Sequence, residues 1–111
     1  MITLTGSGAA GSSAFHTIAV SGFYLLALVA AVSTPIPAGA TVKFEVSSPA
    51  LPTGLDVQCS AALPHVERTK TGWVYLEAGD VLSFGVSLTG THPTPPLWSA
   101  DLRVYTGVDV A

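Results

Sequence analysis

Few residue types in this chain can do chemistry, and their spacing decides how far each can be read. Histidines stand at 16, 65 and 92, too far apart for the H-x-H or H-E-x-x-H spacings that put two imidazoles on one metal. Cys59 is the sole cysteine, so no internal disulfide forms. It lies on an apolar alternation with Val57 and Ala61, where a small thiol packs as a hydrophobe. A nucleophile would need a neighbouring cation or a helix N-terminus to lower its pKa. No serine sits in a G-x-S-x-G elbow. The seven carboxylates fall mostly at turns or on the polar side of strand patterns, with no pair set apart for acid–base work. Residues 6–11, Gly-Ser-Gly-Ala-Ala-Gly, match the dinucleotide-binding fingerprint letter for letter. That fingerprint requires a helix at once and a ribose-binding carboxylate about 20 positions on, whereas the next carboxylate is Glu45. A glycine-serine arm accounts for the match better. Neither a metal nor a cofactor is expected, and no enzyme activity.

The aromatic residues are the remaining signal. Trp73, Tyr75, Trp98 and Tyr105 have the flat apolar faces that stack on sugars. The same residues also fill sandwich rims and subunit interfaces, where they bury large area at small entropic cost. Together with Ile2, Leu4 and His92 they form the expected interaction surface.

The elements that must position these residues are strands. Residues 71–90 read as a hairpin, with a turn at Ala78-Gly79-Asp80 and a second arm in which Leu82, Phe84, Val86 and Leu88 alternate with Val81, Ser83, Gly85 and Ser87. Val42, Phe44 and Val46 alternate with Lys43 and Glu45. Val57, Cys59, Ala61 and Leu63 alternate with Asp56, Gln58 and Ser60, and Leu102 and Val104 with Asp101, Arg103 and Tyr105. Residues 65–70 carry two of the four cations, Arg68 and Lys70, together with His65 and Glu67, and read as an exposed edge strand or loop guarded by its charges. Residues 90–96 form a proline-rich loop that contains His92. No amphipathic helix pattern occurs, and the turns are made of Gly and Pro. The expectation is one all-β domain over 1–111, an antiparallel, jelly-roll-like β-sandwich of seven to nine short strands, with residues 1–13 as a flexible arm.

Composition narrows the partners. Charged residues make up 10% of the chain, against about 25% in typical soluble domains, and mean hydropathy is +0.56. Part of the surface is therefore expected to be covered by other subunits. With four cations and a net charge of −3, direct nucleic-acid binding is not expected, because phosphate neutralisation needs clustered Lys and Arg. Residues 18–32 are nearly continuous hydrocarbon. The run is short for a transmembrane helix and lacks basic anchors. As a signal peptide it has an Ala38-Gly39-Ala40 cleavage-like site but no positive segment ahead of it. The favoured reading is a strand covered on both faces, with Phe23, Leu25, Ala27 and Val29 on one and Tyr24, Leu26, Leu28 and Ala30 on the other.

Residues 21–46 and 72–88, with Leu76-Glu77-Ala78-Gly79-Asp80 as the local motif, resemble the strand-turn-strand grammar of compact jelly-roll heads of the complement and tumour-necrosis-factor type. They are also similar to the small β-rich accessory proteins that decorate or cement tailed-phage capsids. With no collagen-like stretch in the chain, the phage branch is favoured. That resemblance implies a non-enzymatic virion protein on the capsid surface, a homo-oligomer with a trimer favoured, which binds the major capsid protein and stabilises the shell. It assigns no individual residue a role. The rival expectations are a carbohydrate-binding module, with Trp73, Trp98 and the His92 loop as its sugar site, and a phage tail or baseplate component.

Overall fold

A computed structural model describes residues 2–49, 55–69 and 73–106. Nine strands run in the order β1 (Ile2–Ser7), β2 (Ala10–Thr17), β3 (Gly22–Val32), β4 (Thr41–Ser47), β5 (Leu55–Ser60), β6 (His65–Thr69), β7 (Val74–Leu76), β8 (Val81–Thr89) and β9 (Leu97–Thr106). They form two antiparallel sheets. One has the order β1-β9-β3-β6, with β7 beside β6 on the same flank of β3, and the other has the order β2-β8-β4-β5. Residues 27–31 of β3 pair with β6 and residues 22–24 with β7, so β6 and β7 act as one interrupted strand. Counted so, the eight strands have jelly-roll connectivity: first beside last, second beside next to last, and so inward. Among the described strands only β4–β5 and β6–β7 stay within a sheet; every other connection passes from one sheet to the other.

Alternation explains which side chains enter the core. Val42, Phe44 and Val46 of β4 are fully buried, as are Leu26, Leu28 and Ala30 of β3 and Leu82 of β8. An aromatic cluster holds the two sheets together near one end. Trp98 meets Phe44 edge-on, with ring centroids 5.6 Å apart, and lies 5.6 Å from Phe84.

Three expectations need correction. First, residues 1–13 do not behave as a free arm where they are described. Residues 2–7 pair in unbroken register with β9, and residues 10–17 pair with β8. Gly8 at the corner between them donates its N–H to the Pro96 carbonyl at 2.9 Å, and its own carbonyl accepts the Trp98 Nε1–H at 3.0 Å. These bonds satisfy a glycine-serine stretch that has little side-chain area to bury.

Second, residues 71–90 are not a hairpin. β7 belongs with β3 and β8 with β2 and β4. The turn between them is a corner between sheets, clamped to the neighbouring β2–β3 corner. Gly79 N–H donates to Ile18 O and Ile18 N–H to Asp80 O, both at 2.8 Å, while Ala78 N–H donates to Ser21 Oγ at 2.8 Å. Asp80 Oδ2 accepts the Glu77 N–H at 2.8 Å, and Gly79 takes φ +97°, a left-handed conformation that favours glycine.

Third, the alternation expected to run through Ala61 and Leu63 stops at Ser60. Reciprocal Ser60–Leu63 backbone bonds of 3.0 and 3.1 Å turn the chain there, and Ala61 and Leu63 face solvent.

Gly90, which follows β8, gives a local test. Its φ is +79°, and a Cβ placed there would lie 2.8 Å from the Ala40 Cα, a backbone atom that cannot swing aside. Gly90→Ala is expected to cost about 1–3 kcal/mol in a urea titration, from left-handed strain and overpacking together. A cost within 0.5 kcal/mol, the range of about zero seen for neutral surface changes, would show that this corner is looser than its geometry.

Candidate functional site: the outer face of the β1-β9-β3-β6 sheet

The two outward sheet faces differ in kind. On the β2-β8-β4-β5 sheet the outward positions of β4, β5 and β8 are mostly polar or small. Lys43 lies 3.6 Å from Glu45 and 3.8 Å from Asp56, and the Thr41 and Thr89 hydroxyls bond across strands. On the other sheet β3 presents Phe23, Leu25, Ala27, Val29 and Ala31 outward. The sequence pattern of β3 shows no polar face, and its second face was therefore expected to be covered. Within the chain it is covered only partly: Ala27 is buried, Leu25, Val29 and Ala31 are half-buried, and Phe23 is 61% exposed.

Cross-strand register builds an aromatic patch on that face. Tyr75 stands opposite Phe23, its ring meeting Phe23 edge-to-face at 5.3 Å and 68°, and Tyr105 stands opposite Leu25 on the other flank of β3. Trp73, two residues before Tyr75, is 45% exposed, and Val20 at the β2–β3 corner is exposed as well. Tyr24, whose ring is buried, donates its hydroxyl to the Val20 carbonyl and fixes that corner. Further along the face Arg103 is opposite Ala27 and Asp101 opposite Val29.

Of the residues expected on the interaction surface, Tyr75 and Tyr105 come together on the two flanks of β3, with Trp73 exposed two residues before Tyr75. The others do not. Trp98 is buried inside the sandwich. His92 is tied down by its Nε2, within 3.2 Å of Thr41 O and 3.0 Å of Thr89 O, so its ring braces the loop against two strand ends. Leu4 packs against the core, and Ile2 is held in β1 opposite Leu102. The sugar site expected from Trp73, Trp98 and the His92 loop is thus not assembled. Phe23 and Leu25 belong to the patch and were missed as surface residues. Their signal is visible only once the strands beside β3 are known.

Chemistry elsewhere is sparse. No group of three or more His, Cys, Asp or Glu close enough to hold a metal occurs among the described residues. The glycine fingerprint spans β1, a corner and β2, with no helix to receive a phosphate. No helix of the described residues is long and apolar enough to cross a membrane, and most of residues 18–32 lies in β3. A groove of about 470 Å³ opens near the ends of β1, β9 and β3. Its lining includes Thr5, Ser7, Ser33, Leu97 and Ser99 and contains no ionisable side chain.

Cys59 is fully buried on β5, its thiol 3.9 Å from the Ala30 carbonyl. Burial pushes the thiol above its usual range, while a backbone hydrogen bond with Val66 pulls the other way. A raised folded-state pKa means that the fold favours the neutral thiol. The contribution is whole below the unfolded-state value, about 8.5, and is lost as pH rises through the folded-state value. Thermal melts between pH 7 and 10 are expected to fall more steeply above about pH 8.5 for the unsubstituted chain than for Cys59→Ala. Parallel slopes would contradict the burial argument.

No protein-family model matches this sequence, and no curated protein matches it significantly.

Proposed function

We propose that this chain is a non-enzymatic assembly protein, a capsid decoration protein that binds the major capsid protein and stabilises the shell through the outer face of its β1-β9-β3-β6 sheet. One observation carries the reading: a sandwich with one polar outer face bears on its other face a continuous apolar strip centred on β3, with Phe23, Trp73 and Tyr75 in the open. Scattered exposed apolar residues need no explanation, but a contiguous patch rimmed by polar residues is the mark of a contact surface. Aromatic residues dominate such contacts because they bury large area with few rotatable bonds. Low overall charge suits a protein whose partner is a lattice of protein subunits. Jelly rolls recur in viral shells and also in lectins, so fold alone does not choose between them.

The test is co-sedimentation of the purified chain with shells assembled from the major capsid protein encoded in the same genome. Saturable binding that raises the shell's melting temperature is expected. A chain that stays in the supernatant at every shell concentration would sink the proposal.

A second reading rests on the same exposed aromatics. Phe23, Trp73 and Tyr75 offer ring faces for a carbohydrate, without Trp98. Retention on a glycan array that is lost in Trp73→Ala would favour it over the shell reading.

A further inference from the structure

The rims of the two sheets are guarded unequally. β5 and β6 border one side of the sandwich, β1 and β2 the other. β5 carries Asp56, and β6, which begins at the residue after Pro64, carries Glu67 and Arg68. Charges and proline are the usual means by which an edge strand is kept from pairing with another chain. β2 has neither, but its register with β8 shifts between Ala10 and Ser13 and again between Ala14 and His16, and such bulges twist an edge out of pairing geometry. β1 has none of these devices. It reads Ile-Thr-Leu-Thr-Gly-Ser, with no charge and no proline, and all six residues pair with Leu102 to Leu97 of β9 without a shift. Among the described residues β9 is its only strand neighbour. In an antiparallel ladder alternate residues turn N–H and C=O away from the partner, so β1 offers a straight row of backbone donors and acceptors at the rim.

We infer that β1 pairs antiparallel with β1 of a second copy of this chain across a two-fold axis, joining two sheets, each four strands wide, into one continuous sheet. The absence of charge selects a second copy as occupant. Two-fold pairing sets each residue opposite itself or a near neighbour, so any charged edge would meet its own sign, which is destabilising. β1 meets no such penalty. A dyad at Leu4 sets Leu4 opposite Leu4 on the core side and residue 2 opposite residue 6 in the register. On the outer face it sets Thr3 opposite Thr5, a pair that stabilises sheets through hydroxyl contact. A slip of one residue would put Leu4 against threonine and mix the two faces. The inference rests on the reading of the chain as an assembly protein but uses a different surface, so it is tested on the protein alone.

Light scattering of the purified full chain over a dilution series is expected to give twice the protomer mass of 11.3 kDa at high concentration, falling to one protomer on dilution. Thr3 and Thr5 are exposed, and the double variant Thr3→Lys/Thr5→Lys should stay monomeric at every concentration, its dissociation constant raised at least about tenfold by facing like charges. Should that variant fail to fold, a mixture of Thr3→Cys and Thr5→Cys chains under mild oxidation decides, because a disulfide reaches between directly opposite positions and not between diagonal ones. Linked dimers should form in the mixture and not from either chain alone, Cys59 being buried. A monomer at all concentrations, a trimer, a dimer that survives the lysines, or cross-linking without regard to register would each overturn the inference. Loss of shell binding by an intact dimer would count against the proposed function and leave the pairing standing.

Discussion

Trp98→Ala is expected to lower the stability of the fold by about 3–5 kcal/mol, the range for truncation of a large buried aromatic. The indole lies 8% exposed between Phe44 and Phe84, and its removal leaves a cavity that two sheets held in register by their ladders cannot close. It also strands the Gly8 carbonyl, whose partner is the Trp98 Nε1–H. A buried acceptor left without a donor costs on the order of 1–3 kcal/mol, a loss that overlaps with the first. Against a total of about 5–15 kcal/mol for a domain, the variant stands near the limit of folding. Trp98→Phe separates the two terms, since it keeps much of the ring packing and loses only the hydrogen bond; about 1–2 kcal/mol is expected. Urea titration followed by circular dichroism, with an unchanged slope, measures both. A cost below about 1 kcal/mol for Trp98→Ala, the net worth of one ordinary hydrogen bond, would mean that the cluster is not the support described here.

The second large effect concerns binding. Tyr75→Ala and Trp73→Ala are each expected to weaken association with capsid shells by about 30-fold or more, corresponding to the roughly 2 kcal/mol that marks a central interface residue. Tyr75 is the stronger test, because its ring is braced edge-to-face by Phe23 and so loses little freedom on docking. Both side chains are about half exposed in the free chain, so stability should change little, by about 0.5 kcal/mol or less for Trp73, which no strand holds. Substitutions on the opposite face, such as Ser87→Ala, should leave binding unchanged. Equal binding by Tyr75→Ala and the unsubstituted chain, with both folded, would remove the aromatic face as the contact.

Each substitution addresses a tryptophan, and the contrast between the two shows where sequence reading stops. Trp73 and Trp98 stand in similar alternating contexts and were expected on one surface. One lies outside the sandwich and the other in its centre, because β9 is flanked by β1 and β3 and packs over β4 and β8, whereas Trp73 precedes the short β7 at a sheet margin. β3 makes the same point. Its unbroken run of apolar residues is compatible with two covered faces, and only the identity of its neighbours shows that the outer face remains half open.

Alternation with period two was enough to place Val42, Phe44 and Val46 inside, Lys43 and Glu45 outside, and Leu82, Phe84 and Val86 on a core-facing side. Side-chain direction along a strand is a local consequence of backbone pleating. The same signal, with glycine and proline at the turns, established an all-β antiparallel sandwich, while the charges of residues 65–70 left an edge strand or a loop open and the structure makes residues 65–69 a strand. Pairing is not local. Residue 2 lies against residue 102, residue 17 against residue 81, and residue 24 against both 74 and 106. A pleat states which way a side chain points and carries no information on which strand will lie beside it. Only the tertiary structure decided that β7 and β8 part at a corner, that the glycine-serine start of the chain is strand, and that Phe23 and Tyr75 meet in the open on the outer face of β3.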